Sequence, residues 1–315
     1  MTDLRIVFMG TPDFAVSILK TLVENNYQVV GVITAPDKPA GRGRKLNESA
    51  VKTYAKEKGL NILQPTNLKN EDFVADLKAL EANLQIVVAF RMLPEVVWKL
   101  PAYGTFNLHA SLLPDYRGAA PINWAIIDGE TKTGVSTFFI DEKIDTGEII
   151  LQKEIAIEDT DSAGTLHDKL MHAGSDLVID TVKLIEKEQV ITQAQPQTES
   201  PKTAYKLDRD NCKIDWTDNI TNIYNKIRGL SPYPGAWCFL KNGEETLDIK
   251  IYTTKIEQET HRFNIGELVV SKKELKIAVN EGFINILELK LPGKRKMDAK
   301  SLLNGYQFDV QAKML

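Results

Sequence analysis

Cysteine is scarce in this chain. Cys212 and Cys238 are too few for a disulfide framework and stand at no metal-ligand spacing, so both read as reduced thiols of a cytosolic protein. Histidine is scarce as well. His109, His167, His172 and His261 fall at no ligand spacing, and His167 and His172 do not share one face of the helix they lie on, so no metal is expected. No apolar run approaches the roughly 20 residues that span a bilayer. The opening MTDLRIVFMGTPDF lacks a basic n-region and a small-residue cleavage site. It reads as a buried strand rather than a signal peptide, and the expectation is a cytoplasmic protein with no membrane contact. The net charge of −4 is too small to announce a nucleic-acid binder, so any such contact must rest on a local basic patch. The glycine signatures of phosphate binding are also missing. Gly10-Thr11-Pro12-Asp13 lacks the second and third glycines of GxGxxG, and no P-loop is present, which argues against a nicotinamide or ATP enzyme.

What is present is an ordinary globular balance, 43% apolar and 26% charged, over 315 residues, enough for about two domains. Leu4–Met9, Val29–Thr34, Gln85–Phe90, Thr105–His109 and Gly134–Ile140 read as buried strands. Helical patterns follow Pro12 and cover Ala50–Lys58, Asn70–Leu80 and Ala163–Lys187. Strands alternating with helices imply an α/β fold with a mainly parallel sheet. The Gln-, Thr- and Pro-rich stretch Gln193–Pro201 reads as part of a linker over 191–207, separating domains at 1–190 and 208–315. Beyond it a helix near Asn219–Leu230 precedes short strands at Trp237–Leu240, Leu247–Thr253, Gly266–Val270, Leu275–Val279 and Phe283–Leu289. Their spacing and turn signals suggest a small β-barrel.

The chemistry concentrates in Thr105–Pro114. Side chains alternate along a strand, so Phe106 and Leu108 face one way and Asn107 and His109 the other. Polar groups at a strand's C-terminal end stand where open α/β sheets place ligands. A glycine-containing loop, Tyr116–Pro121, follows, and Asp145 comes after the next strand, where a neighbouring position in the sheet could bring it against His109. Each residue has a plainer reading: a structural His, a loop-capping Asn, an Asx-turn Asp. As a set without Ser or Cys they suit direct acyl transfer to an amine. An Asn amide can donate to the oxyanion, and a His held by Asp can polarise it or move a proton.

Seven elements carry a family resemblance from end to end: FMGTPDFA, TAPDKPAGRGRKL, NLHASLLPDYRGAAPINWAI, DTGEI, KIDW, SPYPGAW and GKRKMDAKSLLNG. On these the chain resembles the methionyl-tRNA formyltransferases. The resemblance implies a Rossmann-like N-terminal domain that binds 10-formyltetrahydrofolate and an open C-terminal barrel of the oligonucleotide-binding (OB) type. It implies formyl transfer to the α-amine of methionyl initiator tRNA, with catalytic positions at Asn107, His109 and Asp145 and a folate-contacting segment at Ser111, Leu112, Leu113 and Pro114. Two positions depart from the commoner pattern. Phe90-Arg91 stands where many members have Tyr-Gly, and Asp115 stands where many carry a basic residue.

Two basic patches remain. Lys38, Arg42, Arg44 and Lys45 put four positive charges into eight residues of a Pro- and Gly-containing loop, which by itself reads as a solvated loop. The resemblance assigns that loop to the tRNA acceptor stem, with Arg42 the favoured contact because a guanidinium binds phosphate and stacks on bases. Lys294, Arg295 and Lys296 form the second patch, otherwise an ordinary solvated turn. From Asp208 onward the chain carries 17 Lys and Arg against 15 Asp and Glu, while the remainder carries 22 against 28, so the C-terminal part is the more positive. The expected partners are tRNA and the folate donor, and a monomer is expected. Three rivals stay open: a sugar or small-amine N-formyltransferase, a hydrolase releasing formate, and a non-catalytic RNA-binding protein.

Overall fold

The computed structural model describes residues 3–40, 45–197 and 201–315. In chain order the elements begin with β1 (Arg5–Gly10), α1 (Asp13–Glu24), β2 (Gln28–Ile33), β3 (Lys38–Ala40), β4 (Lys45–Asn47), α2 (Ala50–Glu57), β5 (Ile62–Leu63) and α3 (Glu71–Ala79). They continue with β6 (Leu84–Val88), α4 (Glu95–Trp98), β7 (Thr105–His109), β8 (Arg117–Gly118), α5 (Pro121–Ile127), β9 (Lys132–Phe139), β10 (Ile149–Ala156), α6 (Ala163–Glu186) and β11 (Thr203–Ala204). The last group is α7 (Ile220–Gly229), β12 (Ala236–Asn242), β13 (Glu245–Gln258), β14 (Leu268–Val270), β15 (Leu275–Val279), β16 (Gly282–Lys290), β17 (Met297–Asp298), α8 (Ala299–Leu303) and β18 (Lys313–Met314).

These elements form two compact units. One gathers Met1–Gly118, Thr133–Ile155 and His167–Thr203, and the other gathers Ala119–Lys132, Ala156–Leu166 and Ala204–Leu315. The first is built on a seven-stranded sheet of order β10-β9-β7-β6-β1-β2-β5. The pairs β1–β2, β1–β6, β2–β5 and β6–β7 are parallel, as the alternation of strands and helices implies, and the apolar runs of β1 and β6 are buried on both faces. The pair β7–β9 is antiparallel, with Phe106 opposite Phe139 and His109 opposite Ser136. Helix starts follow local chemistry. Ser49 accepts from Lys52 N at the cap of α2, and Asn70 accepts from Phe73 N at the cap of α3. Gly174 of α6 lets that helix lie against β7, because a Cβ there would stand 2.7 Å from Leu108 Cδ2.

The segment Lys38–Lys45, expected as a loop, is flanked by a short antiparallel ladder. Lys38 pairs with Asn47 and Ala40 with Lys45. Arg42 and Arg44 lie outside the described residues. The stretch read as a linker starts with a bridge, Ile149 N to Gln193 O at 2.8 Å and Gln193 N to Ile149 O at 2.9 Å.

The second unit is an antiparallel sheet of order β14-β15-β16-β13-β12-β18, with β17 paired to β16. It nearly closes: Met314 N donates to Gly266 O at 2.8 Å, joining the last strand to the start of β14. Gly266 has φ +81 and would put a Cβ 2.4 Å from Met314 O, so the closure needs glycine. Register shifts between Ile251 and Thr254 bend β13, which is longer than the expected Leu247–Thr253. The barrel interior is filled by residues such as Ile249, Ile251, Ile277, Ile284 and Leu289.

Candidate active site

Strand β7 is central and covered on both faces. Thr105, Phe106, Leu108 and His109 are all buried, while Asn107 is half-buried. Asn107 and His109 share a strand face, as their spacing implies. Among the described residues no hydrogen bond occupies the Asn107 side-chain amide, so its donor is available. Among the described residues the His109 ring is held at one nitrogen, with Nε2 2.8 Å from the carbonyl oxygen of Tyr116. A carbonyl can only accept, so Nε2 carries the hydrogen and Nδ1 is the nitrogen left to exchange a proton.

Asp145 faces Nδ1. Its Oδ2 lies 3.8 Å from His109 Nδ1 and accepts from Gly118 N at 3.0 Å. Strand β9 runs antiparallel to β7 and ends opposite Phe106, so the strand end itself does not deliver Asp145. The loop after it turns back. Asp141 shapes that loop, accepting from Lys143 N at 3.0 Å and from the Thr146 hydroxyl at 2.8 Å. Asp145 has φ 55, a left-handed conformation that non-glycine residues seldom adopt. Gly147 packs so closely that a Cβ would stand 1.7 Å from Phe139 O.

Sequence reasoning missed three groups at this site. Gln195 Nε2 donates to Asp145 O at 2.9 Å and Gly147 O at 2.8 Å, while its Oε1 accepts from Arg117 Nε at 3.1 Å. Ser136 Oγ donates to Ser111 O at 2.6 Å, and Gln152 Nε2 donates to Leu113 O at 3.0 Å. These last two brace Ser111–Pro114 from β9 and β10. Within that segment Ser111 is fully buried and Leu113 packs against Phe138 and Ile149, while Leu112 and Pro114 stay half-buried. Beside the Asp145 loop lies a cleft of about 750 Å³, lined by Trp98, Arg117, Asp141, Lys143, Thr146 and Gln195 among others. That volume suits a drug-sized ligand.

The two departures from the family pattern are accounted for locally. Arg91 turns away to the backbone, donating to Thr66 O at 2.9 Å and also to Pro65 O. Asp115 caps the incoming strand, accepting from Lys202 N at 3.4 Å. Of the basic residues, Lys38, Lys294 and Arg295 are exposed, and Lys296 pairs with Glu288 at 3.1 Å.

Residues 4–182 match the formyl transferase family, and residues 206–307 match the formyl transferase C-terminal domain. The chain is 64% identical over 314 residues to the methionyl-tRNA formyltransferase of Flavobacterium johnsoniae, covering 100% of both. It is 52% identical over 319 residues to that of Bacteroides fragilis, covering 99% of this chain and 98% of the relative. Among solved structures, the sugar 3N-formyl transferase WlaRD, determined with dTDP and 5-N-formyl-THF, superposes with TM-score 0.63 at 19% identity over 94% of this chain and 100% of its own. HypX from Aquifex aeolicus, in complex with tetrahydrofolic acid, superposes with TM-score 0.66 at 17% identity over 98% of this chain and 49% of its own. At such identities these two likenesses speak to the fold alone. The chain belongs to the formyl transferase family, among the methionyl-tRNA formyltransferases.

Proposed function

We propose that this chain transfers the formyl group of 10-formyltetrahydrofolate to the α-amino group of methionine esterified to initiator tRNA. One observation carries the reading. A single strand face presents the Asn107 amide, unbonded among the described residues, beside a His109 ring that is fixed at Nε2 and opposed by a carboxylate at Nδ1. Family membership supports the acceptor. The reduced folates in the WlaRD and HypX structures support the donor.

The amine nitrogen attacks the formyl carbon, a new C–N bond forms, and the bond from that carbon to the folate nitrogen breaks. Negative charge gathers on the formyl oxygen on the way. The Asn107 amide donates to it, and one such donor is worth about 10²–10³ in rate. The amine must lose a proton and the departing folate nitrogen must gain one. His109 takes the first at Nδ1 and returns the second from there, while the Asp145 carboxylate steadies the imidazolium between the two steps. A free α-amino group has a pKa of about 7.7–8.0, so part of it is already neutral and a strong base is not needed. His109 is 6% exposed and the Asp145 side chain 15%, so little water competes for these charges. In this reading Ser111–Pro114 contacts the donor. Lys38, Arg42, Arg44 and Lys45, with Lys294, Arg295 and Lys296, contact tRNA phosphates.

The test is direct. Purified protein is incubated with 10-formyltetrahydrofolate and methionyl initiator tRNA, and the released amino acid is chromatographed. N-formylmethionine is the expected product. Formate release without it would make the protein a hydrolase, and transfer only to sugar amines would move the acceptor.

A further inference from the structure

We propose that Gln195 is a positioning residue, whose side-chain amide holds the Asp145–Gly147 turn so that the Asp145 carboxylate faces His109. The inference rests on the active-site reading above and extends it to a residue outside the Asn107, His109 and Asp145 set.

The amide is fully committed. Its NH₂ group donates to the carbonyl oxygens of Asp145 and Gly147 at 2.9 and 2.8 Å. Its oxygen accepts from Arg117 Nε and Nη2 at 3.1 and 2.5 Å. A guanidinium only donates and carbonyls only accept, so the amide can sit one way round. Gln195 is itself anchored, because Gln193 two residues earlier exchanges both backbone hydrogen bonds with Ile149 at the start of β10.

The turn that it clamps needs holding. Asp145 sits at φ 55, which an L residue keeps only when its surroundings over-determine it. Among the described residues its carboxylate is tied down by one bond, from Gly118 N, and that amide belongs to the residue after Arg117. Gln195 therefore joins two strands of the same arrangement. Through Arg117 it holds the loop that supplies the Gly118 N–H, and through the two carbonyls it holds the turn that supplies the carboxylate. Without the clamp both carbonyls lose their donor, and the turn can relax toward ordinary φ values, which takes Oδ2 away from Nδ1.

Gln195→Glu tests this cleanly. The carboxylate still accepts from Arg117, but it cannot donate to either carbonyl. The expected result is a fall in kcat of about 10–100-fold, in line with the cost of misplacing a catalytic group by about 1 Å, with KM for both substrates and the melting temperature near wild type. The double variant Gln195→Glu/Asp145→Asn should be no slower than Asp145→Asn alone, because both changes remove the same contribution. Gln195→Met, which keeps the length of the side chain and drops all four bonds, should show the same non-additivity if the Glu variant folds poorly. Wild-type kcat in both Gln195 variants overturns the proposal, as does a multiplicative loss in the double variant. If Asp145→Asn itself turns over normally, the active-site reading fails and this inference with it. If Asp145→Asn is slow and the Gln195 variants are not, only this inference fails.

Discussion

Nε2 of His109 and the carbonyl oxygen of Tyr116 lie 2.8 Å apart, and that contact decides which end of the imidazole can exchange a proton. Tyr116 presents its carbonyl from a left-handed backbone, φ 59, with its own N–H bonded to Lys202 O at 2.7 Å. The ring is thus fixed as the Nε2–H tautomer, with Nδ1 toward Asp145.

His109→Ala should reduce kcat by about 10²–10⁴-fold, the range for a lost general acid–base. The variant should still fold. It leaves the Tyr116 carbonyl short of a donor, at a cost of about 1–3 kcal/mol. Steady-state formylation and a thermal melt check both halves. Turnover near wild type would remove His109 from the reaction.

Much of this site is legible in the chain before any coordinates. Thr105–His109 is the same segment in both readings, because apolar and polar residues alternate there without a break. The partner of Asp145 is legible only in outline. The antiparallel course of β9 depends on the path of its connection, which no residue pattern records. Strand β10 escapes notice because Gln152–Glu154 are polar and exposed and interrupt the apolar run. Gln195 is invisible for a different reason. It is one glutamine among several in a polar stretch, and its bond to Asp145 spans 50 positions, so only the completed fold creates it.

Gly147→Ala should disrupt the Asp145 turn. The added Cβ would meet the Phe139 carbonyl oxygen at 1.7 Å, and backbone on both sides must move. Overpacking of this kind costs about 1–3 kcal/mol or more, and formylation should fall at least tenfold, in line with the sensitivity of rate to small misplacements. Gly305→Ala, with nothing within 4 Å of the new Cβ, is the control and should be silent in both melt and activity.

Lys52 ties the two feet of the basic hairpin together. Its Nζ lies 2.5 Å from Asp37 Oδ2, just before β3, and 3.2 Å from Glu48 Oε1, just after β4. The Lys52 hydrogen bond holds the Asp37 carboxyl below the usual range, and bonds from Lys56 and then Lys52 do the same for Glu48. Lys52→Met should raise KM for charged tRNA several-fold while KM for the folate donor stays put. Arg42→Ala, between those two strands in the sequence, should lower kcat/KM on tRNA with the same indifference to donor. Unchanged kcat/KM in both variants would take the hairpin out of tRNA binding.

The barrel carries a pH-sensitive pair. Lys276 Nζ lies 2.5 Å from Glu257 Oε2, and Asn285 adds a bond to the other oxygen at 2.9 Å. These bonds, led by Lys276, hold the Glu257 carboxyl below its ordinary range, and Glu257 raises the Lys276 amine. A lowered carboxyl stabilises the fold above the unfolded-state pKa of about 4.3, and that contribution fades as pH falls through the lowered value. The stability gap between wild type and Lys276→Met should therefore be level through neutral pH and close on acidification. A gap that persists unchanged through strongly acidic pH would exclude the pair as its source.

The most direct measurement is the single-turnover rate of formyl transfer by Asn107→Ala at saturating donor and methionyl initiator tRNA. The Asn107 amide has no hydrogen bond to lose among the described residues, so its removal should leave melting and substrate affinity as they were. The rate of transfer should drop about 10²–10³-fold, the worth of one oxyanion donor. Transfer at the wild-type rate would contradict the assignment of this strand face as the centre of the reaction.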